Sequence, residues 1–225
     1  MKKIFVLILT ILTTMMFAAC GETNSSDRPA NKTESAQSQP VEQKSDSVPV
    51  QSGSKILVAY FSRAGDNYDV GYIEKGNTHI MADMIAEVTK ADEFEIKTVN
   101  PYPADYRECT EVAQRELSED ARPAIDGKIE NFEQYDTIFL GYPIWWSDMP
   151  MVIYTFLESY DFNGKTIIPF CTSAGEAMTG KEVNIPKIAK GSQIRQGLGV
   201  SGKRCQENPD SVRQDVNSRL KHLGF

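Results

Sequence analysis

The chain predicts an α/β domain built on a doubly wound parallel sheet. Two observations lead there. Short continuous apolar runs, rich in branched and aromatic residues, recur along residues 55–225, as strands buried on both faces of a parallel sheet do. Between them lie stretches with apolar residues at helical spacing, so strands and helices alternate.

The run "KILVAYFS" (55–62) predicts the first buried strand. "THIMADMIAEVTKA" follows, with Ile80, Met81, Met84, Ile85 and Val88 on one helical face. "EFEIKTVN" (93–100) alternates as an edge strand does, and "PADYRECTEVAQRELSED" predicts a helix with a charged outer face. "DTIFLGYP" is a second buried strand and "MPMVIYTFLESY" a helix. "KTIIPFCTS" is a third buried strand, although Pro169 within it lacks a ladder donor. "QIRQGLGVSG" supplies the last strand, and "DSVRQDVNSRLKHLGF" closes the domain as an amphipathic helix capped by Asp210 or Ser211. Five strands with four or five helices make a doubly wound sheet, which holds ligands outside the carboxyl ends of its strands.

Ahead of this domain, "MKKIFVLILTILTTMMFAAC" places Lys2 and Lys3 before an apolar stretch from Ile4 to about Phe17, then small residues and Cys20. The apolar stretch is short and a polar tail follows, so it predicts an export signal, not a spanning helix. "FAAC" resembles the lipobox of bacterial lipoproteins. That resemblance implies a signal peptide over 1–19, cleavage before Cys20 and a lipid on its thiol. The alternative is an ordinary signal with a chance Cys. Residues 20–54 are rich in Ser, Gln, Glu and Pro and hold no aromatic residue. They cannot bury enough apolar surface to offset their ordering entropy, and they predict a disordered tether.

The formal charge is −7, and loss of Lys2 and Lys3 with the signal takes it to −9. This acidity argues against nucleic acid and for small neutral or cationic molecules, or proteins, as partners. Membrane contact is expected through the lipid anchor alone. With Cys20 assigned to lipid, Cys109, Cys171 and Cys205 remain, an odd number without close spacing. That excludes a Cys-x-x-Cys redox pair and a zinc site. Cys171 lies in an apolar run and predicts a buried, inert thiol.

Three strand ends carry the candidate site. After the first strand, "SRAGDNYDVGYIEKGNTH" runs from Ser62 and Arg63 to Gly76, Asn77 and Thr78 at a helix start. Glycine, small hydroxyl residues and a helix N-terminus suit a phosphate. Thr78 has two possible roles there, helix cap and phosphate ligand. After the second buried strand, "GYPIWWSDMP" sets Trp145 and Trp146 side by side between Pro143 and Pro150. Their rings either pack on the next helix or cradle a flat ligand. After the third, "TSAGEAMTG" is small, polar and glycine-bearing, so its backbone can approach a planar ligand edge. Together these suit a flat, phosphorylated heterocycle. No Gly-x-Gly-x-x-Gly occurs, which disfavours a dinucleotide.

"ILVAYFSRAG" with "GNT", then "GYPIWWSDMPMVIYTFLESYDFNGKTIIPFCTSAG", resembles the flavodoxin-like family of FMN proteins over nearly all of residues 55–225. The likeness is to a branch with an insertion in the phosphate loop, here Gly65 to Lys75. The resemblance implies strand order 2-1-3-4-5 and non-covalent FMN. It implies that Ser62, Arg63, Ala64, Asn77 and Thr78 hold the phosphate, and that Pro143, Ile144, Trp145 and Trp146 line the isoalloxazine ring. Thr172, Ser173, Ala174 and Gly175 would close over its other edge. Ala174 and Glu176 depart from the family's commoner pattern, and a carboxylate near the ring would lower its potential. No catalytic acid or base and no metal ligand is expected.

Three functions follow from the resemblance. The domain is an electron carrier between protein partners, or a reductase passing hydride from NAD(P)H to a quinone-like acceptor, or a surface binding module that has lost its flavin. The insert, with Tyr68 and Tyr72, favours the reductase by shaping a substrate pocket. His79 is expected to be solvated, and Tyr142 and Asp148 to support the site from behind.

Overall fold

The computed structural model describes residues 55–175, 178 and 180–225. The signal, the tether, Cys20 and Glu176 lie outside the described residues. The predicted alternation is observed. It runs β1 (Lys55–Tyr60), β2 (Gly65–Asn67), β3 (Gly71–Ile73), α1 (Asn77–Thr89), β4 (Asp92–Glu95), β5 (Lys97–Thr98), α2 (Tyr106–Ser118), β6 (Ile125–Asp126) and β7 (Tyr135–Pro143). Then come α3 (Met151–Ser159), β8 (Thr166–Ser173), α4 (Ile185–Ile188), β9 (Gln193–Ile194), β10 (Leu198–Ser201), α5 (Gly202–Glu207) and α6 (Pro209–Leu223).

The main sheet is parallel, in the order β4-β1-β7-β8-β10, with β9 also on β8. Counted along the chain, this is the order 2-1-3-4-5, the last position being shared by β9 and β10. Period-two alternation sends Val58 and Tyr60 of β1 to one face, with Met81, Ile85, Val212 and Val216 of α1 and α6. Leu57 and Ala59 go to the other face, with Val152, Ile153 and Phe156 of α3. Both faces are covered, which is why the strands read as unbroken apolar runs.

Pro169 sits inside β8, paired with Leu140 of β7. The fifth strand is broken opposite it. β9 ends with Ile194 beside Ile167, and β10 resumes with Leu198 beside Phe170. The intervening chain passes so close that a Cβ on Gly197 would overlap the Pro169 carbonyl. A residue with no N–H is thus tolerated in a central strand, because its missing donor faces the gap.

The expected cap of the last helix is corrected. The cap is Asn208, two residues before Asp210 and three before Ser211: α6 has Pro209 as its first residue, and the Asn208 side chain accepts from Ser211 N–H at 3.3 Å. Proline suits the first helical position, where its N–H is not needed.

Cys109, Cys171 and Cys205 are buried and form no disulfide among the described residues. Burial, with the charge of Glu182 second, pushes the Cys171 thiol up from 9.0 to about 12. The unfolded chain ionises this thiol first, so its contribution to stability is complete below about pH 9 and is lost as pH rises towards 12. Over that window, stability is expected to fall more steeply in the wild type than in Cys171→Ala, by about 1.4 kcal/mol per pH unit. Urea titrations at stepped pH read the slope; equal slopes would place the thiol in contact with solvent.

Candidate functional site

The carboxyl ends of β1, β7 and β8 open into a cavity of about 350 Å³, within the size range of small-molecule pockets. Its position is where an open α/β sheet presents its ligand crevice. Of the sequence-predicted residues, Arg63, Asn77, Pro143, Ile144, Trp145 and Trp146 line it, with Thr172, Ser173 and Ala174. Ser62, Ala64, Thr78 and Gly175 are not among its lining residues.

Ser62 and Thr78 stand behind the wall as fasteners. Ser62 Oγ accepts the His79 N–H at 3.1 Å, satisfying one of the free donors in the first turn of α1. Thr78 is 1% exposed, and its hydroxyl shares a hydrogen bond with that of Thr172 at 2.8 Å. This pair ties the start of α1 to the end of β8. Thr78→Val, which leaves the buried Thr172 hydroxyl without this partner, is expected to lower stability by about 1–2 kcal/mol. Adding Thr172→Val should recover part of the loss in the same thermal melt, because it removes the orphaned group.

Gly76 allows the close approach of α1 to the loop after β1. An ideal Cβ there would overlap Ser62 Oγ and lie 2.7 Å from the Arg63 carbonyl oxygen. The Arg63 guanidinium bonds backbone carbonyls. Its Nε and Nη2 donate to the Pro103 carbonyl at 3.0 and 2.8 Å, and its other bonds go to the carbonyls of Asp66 and Ala104. Asn77 Oδ1 accepts from Gln206 of α5 at 2.7 Å. No Asp or Glu is among the described lining residues, so an anion at the helix end meets no side-chain carboxylate in the wall.

The two indoles differ. Trp145 is half-buried and packs edge-on against Phe61 and Tyr102, with centroids 5.3 and 4.9 Å away. Trp146 is exposed and donates its Nε1–H to the Thr110 carbonyl of α2 at 3.1 Å. A tight turn sets them apart. The N–H groups of Trp145 and Asp148 each reach the other's carbonyl at 2.9 Å. Trp146 and Ser147 between them have φ of 50° and 61°. Two left-handed residues in a row are the geometry of a type I′ turn, which glycine and asparagine favour. Each costs on the order of 1 kcal/mol for other residues. Asp148 anchors the turn, its Oδ1 accepting from Met149 N–H at 2.8 Å and from the Tyr154 hydroxyl at 3.0 Å. Tyr142 is buried in the core beneath.

In the third loop, the Ser173 hydroxyl bonds back to Gly175, accepting its N–H at 3.0 Å. His79 is partly buried, not fully solvated. Its Nε2 lies 3.3 Å from Asp83, and its ring is 5.0 Å from that of Tyr60.

The insert folds as the β2–β3 hairpin. Tyr68 lines the cavity, whereas Tyr72 is not among its lining residues. One wall went unread in the sequence. It is the face of α2 carrying Tyr106, Cys109, Thr110 and Ala113. Their spacing is that of a single helical stripe, in a helix otherwise rich in charge. Burial raises the Cys109 thiol pKa, with the nearby Arg63 charge opposing.

A family model described as Flavodoxin matches residues 55–213. Among solved structures, a presumed flavoprotein of Bacteroides eggerthii is 28% identical, with a TM-score of 0.61, over 76% of this chain and 99% of that one. A presumed flavoprotein of Bacteroides uniformis is 31% identical, with a TM-score of 0.58, over 74% and 99%. A flavoprotein of Lactobacillus acidophilus, solved in complex with FMN, shares the fold at 22% identity and a TM-score of 0.51, over 67% and 95%. No curated protein matches the chain.

Proposed function

From the premise that this chain belongs to the flavodoxin family, we propose that it binds FMN non-covalently and transfers electrons at the cell envelope. The observation that carries the proposal is one cavity bordered by the α1 N-terminus, two indoles and the small β8 loop, with no carboxylate among its described lining residues. The cradle at Gly76 fits a phosphate. It keeps the loop after β1 against the helix end, where the N–H groups of Asn77 and Thr78 have no intrahelical acceptor.

Asn77 and Thr78 would hold the phosphate through their backbone. Trp145, Ile144 and Pro143 would orient the flat ring, Trp146 would shield it from water, and Thr172 to Ala174 would meet its polar edge. Bound FMN supplies one- and two-electron transfer chemistry. The net reaction proposed is reduction of a quinone-like acceptor by NAD(P)H and a proton, giving hydroquinone and NAD(P)⁺. Adding FMN to the full chain tests the core of this. Quenching of flavin fluorescence at one equivalent is the expected result. No uptake would leave a flavin-free binding module. If FMN is taken up, unchanged flavin absorbance on mixing with NADPH would leave an electron carrier.

The envelope location rests on the signal-like stretch, "FAAC" and the polar segment that follows. Residues 1–19 direct export, Cys20 takes the lipid and residues 20–54 hold the domain off the membrane. Labelled palmitate should enter the wild type and not Cys20→Ser; equal labelling would refute the anchor.

A further inference from the structure

Three exposed rings from three separate elements border one cavity. Tyr68, in the β2–β3 turn, is 64% exposed; Tyr106, the first residue of α2, is 40% exposed; Trp146, in the turn after β7, is 51% exposed. All three line the cavity. The centroids of Tyr68 and Tyr106 are 6.2 Å apart, with the rings tilted by 41°. Trp146 is bonded to Thr110, one helical turn beyond Tyr106, so phenols and indole follow one lip. Tyr72, on the same hairpin, is 71% exposed and is not among the lining residues. The placement of the other three is therefore more than a general excess of surface aromatics.

Their mounts are fixed. Asp66 N–H donates to the Ala104 carbonyl at 2.9 Å, and the Arg63 guanidinium bridges the carbonyls of Asp66, Pro103 and Ala104. A Cβ on Gly65 would lie 2.8 Å from the Ala104 oxygen. The hairpin and the approach to α2 are thus held as one body. Exposed rings on rigid mounts around a concavity suit a flat apolar ligand. No side-chain carboxylate is among the described lining residues, and the one guanidinium directs its bonds at carbonyls. The recess behind the rings is the one assigned to FMN, so a second ligand would lie against the rings at its mouth.

Resting on the FMN reading above, we propose that Tyr68, Tyr106 and Trp146 form an acceptor subsite that takes a flat, uncharged aromatic molecule of the quinone class. The test is equilibrium binding of 1,4-naphthoquinone to the oxidised, FMN-loaded full chain, read by calorimetry without turnover. Saturable binding at one site is expected. Tyr68→Ala and Tyr106→Ala should each weaken it roughly three- to tenfold, while Tyr68→Phe and Tyr72→Ala bind as the wild type does. FMN uptake by each variant, read from absorbance, confirms that it has folded. FMN uptake without naphthoquinone binding, or unchanged binding in both alanine variants, overturns the subsite alone. Failure of the wild type to take up FMN overturns the cofactor reading, and the subsite with it.

Discussion

Replacing Trp145 by alanine is expected to damage both the fold and the cofactor site, whereas replacing Trp146 should touch the site alone. The difference lies in what each ring contacts. Trp145 is wedged edge-on against Phe61 and Tyr102. It joins the end of β1, the segment before α2 and the end of β7. Truncation removes a large part-buried ring and leaves a hole that three backbone segments cannot jointly close. A loss of about 2–3 kcal/mol is expected, below the range of a fully buried Trp because part of this ring faces the cavity. In a domain of this size that is roughly 5–10 °C in melting temperature. FMN affinity should fall about tenfold or more, since the ring is also a wall of the cavity.

Trp146 is half exposed and makes one hydrogen bond to α2. Its alanine variant should melt within about 1 kcal/mol of the wild type and bind FMN several-fold more weakly. Parallel melts and FMN titrations of the two variants decide this. A Trp145→Ala protein as stable as the wild type would mean that the ring does not anchor the three segments.

The two indoles also show how far residue types alone can be read. The sequence predicts rings that either pack or cradle; in the structure Trp145 packs on Phe61 and Tyr102, Trp146 is exposed, and both line the cavity. The difference depends on the left-handed turn at Trp146 and Ser147, a conformation that neither residue type signals. The alternation of strands and helices was legible because both sheet faces are covered, which leaves long apolar runs with few competing interpretations. The residue types at Ser62 and Thr78 pointed to a phosphate at this strand end, and in the structure their side chains bond the His79 N–H and the Thr172 hydroxyl. A hydroxyl near a helix start looks the same in sequence whichever partner it takes. The stripe of Cys109, Thr110 and Ala113 went unread, because periodicity in a helix so rich in charge cannot tell a face turned to a cavity from one turned to the core. The hairpin within the insert is three residues per strand, too short for any period to register. Its position is set by Arg63 binding carbonyls some forty residues away in the chain, a contact that local patterns do not encode.

Gly76→Ala is expected to produce the largest loss of FMN affinity of any single-methyl change at the site, about a hundredfold. Backbone conformation is not the reason. Gly76 has φ −64° and ψ 150°, which alanine adopts freely. The obstacle is contact. The new methyl would overlap Ser62 Oγ and press on the Arg63 carbonyl, 2.7 Å away. Ser62 can rotate, but the His79 N–H then loses its acceptor. The Arg63 carbonyl has less freedom, because its residue is tied through the guanidinium to Pro103 and Ala104. The loop must therefore retreat from the helix, opening the nest in which the phosphate would sit. The strain should also lower stability by about 1–3 kcal/mol. Gly202→Ala provides the contrast. Its methyl meets first the side-chain amide of Asn77, held by Gln206, which can swing aside, so a smaller effect is expected. Combining Gly76→Ala with Ser62→Ala removes the hydroxyl and leaves the carbonyl in place. If the backbone is the true obstacle, this pair regains little FMN binding in a fluorescence titration. Full recovery would show that the serine hydroxyl alone held the loop off, and that the helix end can be approached more freely than this packing allows.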